Sequence, residues 1–234
     1  MFVSVVIPAY NEERYLGRCL EALRAQSYPA SQFEIIVVDN ASTDATAEIA
    51  RRFKTRIVRE PHKGVARARQ TGFEAARGEV IASTDADTQV PPYWLARIVG
   101  HFQANPALGG VYGPVYWYDG RPHEKIIMRY PVTWALMISN QVGRTLWVGS
   151  NFAVRRDLFW QVGGFDIERL SGEDIDLSRR LRRVARILFD PDLIVYASAR
   201  RAREGYLPFL QRVVISGVRT TLLRQPPLPQ PDIR

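Results

Sequence analysis

The chain is short of several residue types, and each shortage excludes something. One cysteine, Cys19, stands among its 234 residues. No intramolecular disulfide can form, which suits a reducing compartment. The three histidines, His62, His101 and His123, are scattered, and with a lone cysteine they offer no zinc-ligand spacing. Lysine is scarce: Lys54, Lys63 and Lys125 are the only ones, so arginine carries nearly all of a net charge of +8. No apolar run reaches the roughly 18 residues of a membrane span, and no basic–apolar–small-residue signal opens the chain. A cytoplasmic protein is expected, attached at most to the inner face of a membrane. The excess of positive charge has two readings, a solvated surface or an anionic partner such as nucleotide, nucleic acid or acidic lipid.

With 46% hydrophobic residues, the chain can bury one sizeable core. Its first 85 or so residues alternate apolar runs with helical spacing. "FVSVVI" (2–7) reads as a buried strand stopped by Pro8. Asn11 is placed to cap a helix whose first turn holds Glu12 and Glu13, with Leu16, Cys19, Leu20 and Leu23 on its inner face. "FEIIVVD" is a second strand, ending at Asp39. "ASTDATAEIARRF" is a helix capped by Thr43 or Asp44, with Ile49, Ala50 and Phe53 on one face. "TRIVRE" is a third strand. A helix over 64–76 turns Val65, Ala68, Gly72 and Ala76 inward, and "GEVIAST" is the fourth strand. Each strand is apolar throughout rather than alternating, which is the pattern of a parallel sheet covered by helices on both faces. Ligands of such sheets gather at the carboxyl ends of the strands. Tyr10, Asn11, Glu12, Asp39, Asn40, Asp85 and Asp87 all fall there.

The second half is less regular. "PPYWLARIVGHF" is a helix with proline in its first turn, and "ALGGVYGPVYWY" is strand-like. Residues 124–142 read as helical with a break or kink at Pro131. "GSNFAVRRDLFWQVGGFD" suggests a strand, a short helix and a Gly-Gly turn, and "GEDIDLSRRLRRV" an arginine-rich helix. An amphipathic stretch follows over 206–223, then a frayed tail over 226–234.

Two acidic motifs carry chemistry. Asp85-Ala86-Asp87 sits where the fourth strand ends. In extended chain two such residues share a side, so the pair is either a helix-capping strand end or a seat for a hard divalent cation, Mg²⁺ or Mn²⁺. Glu173, Asp174 and Asp176 stand at a helix start beyond Gly172. They are either dipole-compensating caps or the source of a general base.

Taken in order, "SVVIPAYNEERYLGRCLEAL", "EIIVVDNASTDAT", "KGVARARQTGFEAARGEVIASTDADT" and "GSNFAVRRDLFWQVGGFDIERLSGEDIDLSRRL" resemble the family 2 inverting glycosyltransferases over about residues 4 to 181. The resemblance implies an α/β GT-A fold, Rossmann-like, with a mostly parallel central sheet and helices on both faces. It implies a single catalytic domain over 1–225, with a nucleotide-binding half (1–100) and an acceptor-binding half (101–225). It places Ala9, Tyr10, Glu12 and Asp39 at the nucleotide's base and ribose, and Gly64 and Arg69 in a segment that closes over the nucleotide. Asp87 becomes the direct ligand of Mn²⁺ or Mg²⁺, with Asp85 on the same ion or on the ribose. Asp174 becomes the base and Glu173 its orienting partner, while Gly149, Ser150 and Asn151 lie near donor sugar and acceptor.

Some family features are missing. The Gln-x-x-Arg-Trp motif and membrane helices of the processive polymerases are absent, Gln70 stands where the family usually has asparagine, and no histidine follows His123 as a further metal ligand. The resemblance thus implies weak metal affinity without nucleotide. The partners implied are a nucleotide-sugar donor and a saccharide or lipid-linked acceptor, with peripheral membrane contact through the apolar stretches near 124–143 and 206–223, and no nucleic acid. The rival readings are a nucleotidyltransferase, which would carry a glycine-rich basic loop in place of "PAYNEER", and a nucleic-acid binder using the arginines of 179–186.

Overall fold

The computed structural model describes residues 1–141, 143, 147–169 and 171–200. The stretches expected at 206–223 and 226–234 lie outside the described residues.

A seven-stranded sheet forms the middle layer. Its strands are β1 (Val3–Ala9), β2 (Phe33–Asp39), β3 (Arg56–Arg59), β4 (Val80–Ser83), β6 (Leu108–Tyr112), β8 (Phe152–Arg155) and β9 (Arg186–Phe189). Their order is β3-β2-β1-β4-β8-β6-β9, so both halves of the chain contribute to one sheet. Pairing is parallel except at β8, which runs antiparallel to β4 and β6. Val3, Val5, Val6 and Ile7 are fully buried, because alternate side chains of β1 enter two different cores. Val3, Val5 and Ile7 pack with helices α1 (Leu16–Arg24), α2 (Thr46–Arg52) and α4 (Trp94–Ala104). Val6 packs with α3 (Val65–Ala75), and the same core takes Phe159 of α7 (Arg156–Gln161) and Leu177 and Leu181 of α8 (Glu173–Leu181). This is the covered, mostly parallel sheet expected from the apolar runs.

Several local expectations are corrected. β1 does not stop at Pro8 but continues to Ala9, in register with Asp39. Pro8 can lack an N–H there because the ladder to β4 ends at Val6, while Ala9 on the β2 side accepts from Asn40 N–H. Asn11 does not cap α1, which begins at Leu16. Its backbone turns left-handed (φ 53°), and its side chain accepts from the backbone N–H and hydroxyl of Thr43. Leu16, Cys19, Leu20 and Leu23 are nevertheless the buried face of α1. In α3, Val65 is only half-buried while Arg69 and Phe73 turn inward. Gly72 lets α3 lie directly on the sheet, since a Cβ there would stand 2.3 Å from Val6 Cγ1.

A three-stranded sheet sits beside the first, with order β5 (Thr88–Gln89), β10 (Val195–Ala197), β7 (Val115–Trp117). Ala197 pairs with Thr88, and Ser198 N–H donates to Asp87 O at 3.1 Å. The chain after β10 is thereby delivered to the rim where β4 ends. Between β7 and β8 run α5 (Pro122–Ile127) and α6 (Thr133–Gln141), joined by a π-helical turn (Met128–Val132). The helix passes Pro131 through that turn instead of breaking, because the wider turn relieves the clash of the proline ring with the preceding turn. Among the described residues, no helix is long and apolar enough to cross a membrane.

Candidate active site

β1, β2 and β4 end side by side, and the polar residues that follow them share one rim. Asp39 is buried, accepts from Ser42 N–H at 3.1 Å and has Arg59 at 3.9 Å. Asn40 spans to the next loop: its amide donates to the carbonyls of Glu60 and His62 and accepts from Gly64 N–H at 2.9 Å. That bond fixes Gly64 at the start of α3. The Tyr10 hydroxyl accepts from Lys63, whose ammonium lies 4.4 Å from the ring centre. Ala9 is buried at the strand end.

Asp85 and Asp87 do not share a side of a strand. β4 stops at Ser83, and Thr88 N–H closes a turn onto Asp85 O at 3.1 Å. Each carboxylate then meets its own arginine. Asp85 Oδ1 accepts from Arg69 Nη2 at 2.8 Å, and Asp87 Oδ2 lies 2.9 Å from Arg200 Nε. Arg200 also holds buried Glu12 with both Nη atoms, at 2.9 and 2.6 Å, and stacks over Tyr15 with its guanidinium carbon 4.7 Å from the ring centre. Two like charges at the end of a buried strand are tolerated because two guanidinium groups offset them.

Arg69 is itself buried. Its second arm donates to Glu173 at the first residue of α8, so one side chain joins the Asp-x-Asp turn to the Glu-Asp pair. Beside this bridge, the Asp174 carboxyl accepts from Ile175 N–H at 2.8 Å and from Gly149 N–H. Loss of hydration and the neighbouring Glu173 charge push the Asp174 carboxyl up, to about 7, against the opposing pull of Arg69. Asp176, the third acid of the motif, belongs elsewhere. It binds Arg179 and Arg180 at 2.7 and 2.8 Å, which hold its carboxyl below the usual range despite its burial.

The loop before β8 completes the site. Gly149 donates to Asp174 and accepts from Ser83 Oγ at 2.9 Å. Its α-carbon faces Arg69 so closely that a Cβ would stand 2.2 Å from Nη2, so any larger residue would push the guanidinium out of its bridge. Ser150 is buried next to it. Asn151 is committed to structure: its amide donates to Pro114 O and Leu193 O and accepts from Trp94 Nε1. It ties three segments together beneath the site.

Of the residues expected at the site, Asp85, Arg69, Glu173, Asp174 and Gly149 form one contiguous group, and Glu12 and Asp87 form a second around Arg200. Arg200 escaped the sequence reading. The stretch "ASARRAREG" is rich in arginine, and no local pattern marks which of them reaches the rim.

Glu12, Asp85 and Asp87 make an oxygen-only, negatively charged donor set, which suits a hard cation. The bound guanidinium groups show that this rim does draw positive charge. No group of three or more cysteine, histidine or carboxylate side chains is poised around a single metal position among the described residues. The set therefore fits an ion held by one or two carboxylates and the ligand's own oxygens.

Comparison with known proteins agrees with this fold. The family description "Glycosyl transferase family 2" matches residues 4–163. Glycosyltransferase AglE of Haloferax volcanii is 34% identical over 188 residues, which is 76% of this chain and 60% of AglE. Probable glycosyltransferase YdaM of Bacillus subtilis is 31% identical over 196 residues, 76% of this chain and 46% of YdaM. The chain thus spans about half to three-fifths of the length of these relatives. Among solved structures, residues 1–349 of S. aureus TarS superpose with a TM-score of 0.69 at 19% identity, covering 94% of this chain and 66% of that one. TarS has also been solved with UDP-GlcNAc. The mannosyltransferase PcManGT of Pyrobaculum calidifontis, solved with GDP-Man and Mn²⁺, gives a TM-score of 0.68 at 26% identity, covering 91% of this chain and 64% of that one.

Proposed function

For a chain that belongs to glycosyl transferase family 2, we propose inverting transfer of a sugar from a UDP- or GDP-sugar to an acceptor hydroxyl, with Asp174 as the general base. The observation that carries this reading is the Arg69 bridge. It holds Asp85, on the rim where the nucleotide is expected, and Glu173, the neighbour of Asp174, on one guanidinium. An acid assigned to the donor side and one beside the proposed base are thus held by one side chain.

The placement supports the following division of labour. Tyr10, Asp39 and the Gly64 loop border the position of base and ribose. Asp87, with Asp85, would hold Mn²⁺ or Mg²⁺. When bound, such an ion neutralises charge that builds on the diphosphate leaving group. Asp174 takes the proton of the acceptor hydroxyl as that oxygen attacks the anomeric carbon from the face opposite the leaving group. A carboxyl raised to about 7 is matched to this task, since a base works best with a pKa near the working pH. The Glu173 charge contributes to that elevation, and Arg69 orients Glu173. Gly149 and Ser150 border the donor sugar.

The test is a panel of UDP- and GDP-sugars, each with and without Mn²⁺, read by thermal shift and by release of nucleoside diphosphate. One nucleotide class should raise the melting temperature, and its sugar donor should be turned over in a metal-dependent way. A panel in which no nucleotide sugar binds or turns over contradicts the proposal.

A further inference from the structure

The segment from α5 through α6 wears its apolar side outward. Glu124, Thr133, Leu136 and Ser139 are buried in it, whereas Ile126, Tyr130, Trp134 and Ile138 are 58%, 52%, 63% and 58% exposed. Residues four apart share a helix face, so these side chains make one row. The row is about 18 Å long at ~1.5 Å per residue and exposes on the order of 400 Å² of large apolar side chain. That is the size of the largest contiguous apolar patch on a typical monomer, which is often a functional one. The same segment exposes Arg121, Lys125 and Arg129. Its one acid, Glu124, is buried and accepts from Arg121 N–H at 2.7 Å.

We propose that this row docks the protein on an anionic lipid bilayer. Three features select a bilayer over a second copy of the chain. The row falls short of the roughly 800 Å² per partner that a stable protein interface buries. The exposed charged residues of its segment over 121–141 are all cations, which do not answer one another across a two-fold axis, whereas anionic headgroups do. It combines aliphatic side chains with a tyrosine and a tryptophan, whose apolar rings and polar tips suit the headgroup level.

The row's segment is tied to the C-terminal end of α8, since Asn140 near the end of α6 accepts from Arg182 just beyond that helix. For a chain docked in this way the acceptor is a hydroxyl of a lipid-linked saccharide; this last step rests on the glycosyltransferase reading, and the docking does not.

Flotation of the chain with phosphatidylcholine vesicles, and with vesicles that also contain phosphatidylglycerol, tests the docking. The chain should float with the anionic vesicles, lose binding as salt rises, and stay in solution with phosphatidylcholine alone. The pair Trp134→Ser with Ile138→Ser, and separately Lys125→Gln with Arg129→Gln, should each lower the partition coefficient by about tenfold or more. All four positions are exposed, so both variants should fold and should release nucleoside diphosphate from donor in the absence of vesicles as the parent does. Failure of the parent to float with anionic vesicles overturns the docking and leaves the glycosyl-transfer reading standing. Equal flotation of the Trp134→Ser/Ile138→Ser variant overturns the row as the contact. Sedimentation showing a dimer that this variant dissolves makes the row a face between copies and overturns the bilayer. A chain that floats as expected but turns over no nucleotide sugar removes only the acceptor assignment.

Discussion

Arg69 Nη2 lies 2.8 Å from Asp85 Oδ1, and the same guanidinium donates through its other arm to Glu173. One buried cation therefore offsets two acids that come from the two halves of the chain. Removing it leaves Glu173 buried without its partner, which costs about 3–5 kcal/mol for a buried pair. We expect Arg69→Ala to lose stability on that scale in urea unfolding. Arg69→Lys should lose part of it, because an ammonium cannot span both carboxylates as a planar fork does. A variant as stable as the parent would show that the bridge is not what holds the halves of the site.

The proton on Asp174 sets a pH dependence for catalysis. Its carboxyl is raised by burial and by the Glu173 charge to about 7, and only the ionised form can act as base. kcat/KM should rise with pH and level off above about 7. A profile that is flat through neutrality, or one that falls as pH rises there, contradicts the assignment.

The same elevation has a consequence for stability, of opposite sign. A folded-state pKa above the ordinary 3.8 means that the folded protein keeps a proton the unfolded chain has lost. Stability therefore declines as pH rises from near 4 to about 7. Asp174→Asn removes the ionisation and retains a carbonyl oxygen for the N–H groups of Ile175 and Gly149. It should melt higher than the parent at neutral pH and above, by about 2–4 °C for each kcal/mol recovered, and the difference should vanish in acid. A lower melting temperature at neutral pH would mean that the Asp174 charge is stabilised by its surroundings.

Arg200 and a divalent ion have a claim on the same carboxylate. Arg200 Nε lies 2.9 Å from Asp87 Oδ2, so metal binding at Asp87 competes with the guanidinium. Arg200→Ala should bind Mn²⁺ more tightly than the parent in calorimetry without nucleotide, and Asp87→Ala should lose the metal dependence of nucleotide binding. Weaker Mn²⁺ binding in Arg200→Ala would show that the arginine supports the ion instead of opposing it.

Much of the scaffold could be read before the structure. The unbroken apolar runs of β1, β2 and β4 specified buried parallel strands, and the spacing of Leu16, Cys19, Leu20 and Leu23 specified the inner face of α1. Those signals are local and periodic. What escaped depends on partners far along the chain. The resemblance alone picks out Arg69; by its spacing in "GVARARQTG" it looks like any helix-surface arginine, and its burial is decided by Glu173, 104 residues away. Arg200 is drawn inward by Glu12, 188 residues away. The Asp85–Asp87 pair was read as extended, and the turn closed by Thr88 N–H separates the two side chains. The segment over 122–141 was legible as apolar and helical, but which side faced outward was set by tertiary contacts, such as that of Tyr116 with Thr133 at 3.4 Å.

The central claim is that Asp174 is the base for sugar transfer from a nucleotide donor, and turnover of Asp174→Asn with the parent's own donor tests it most directly. The variant should bind the nucleotide with the parent's affinity while turnover falls by about 10²–10⁴-fold. Turnover near that of the parent, with nucleotide binding intact, would contradict it.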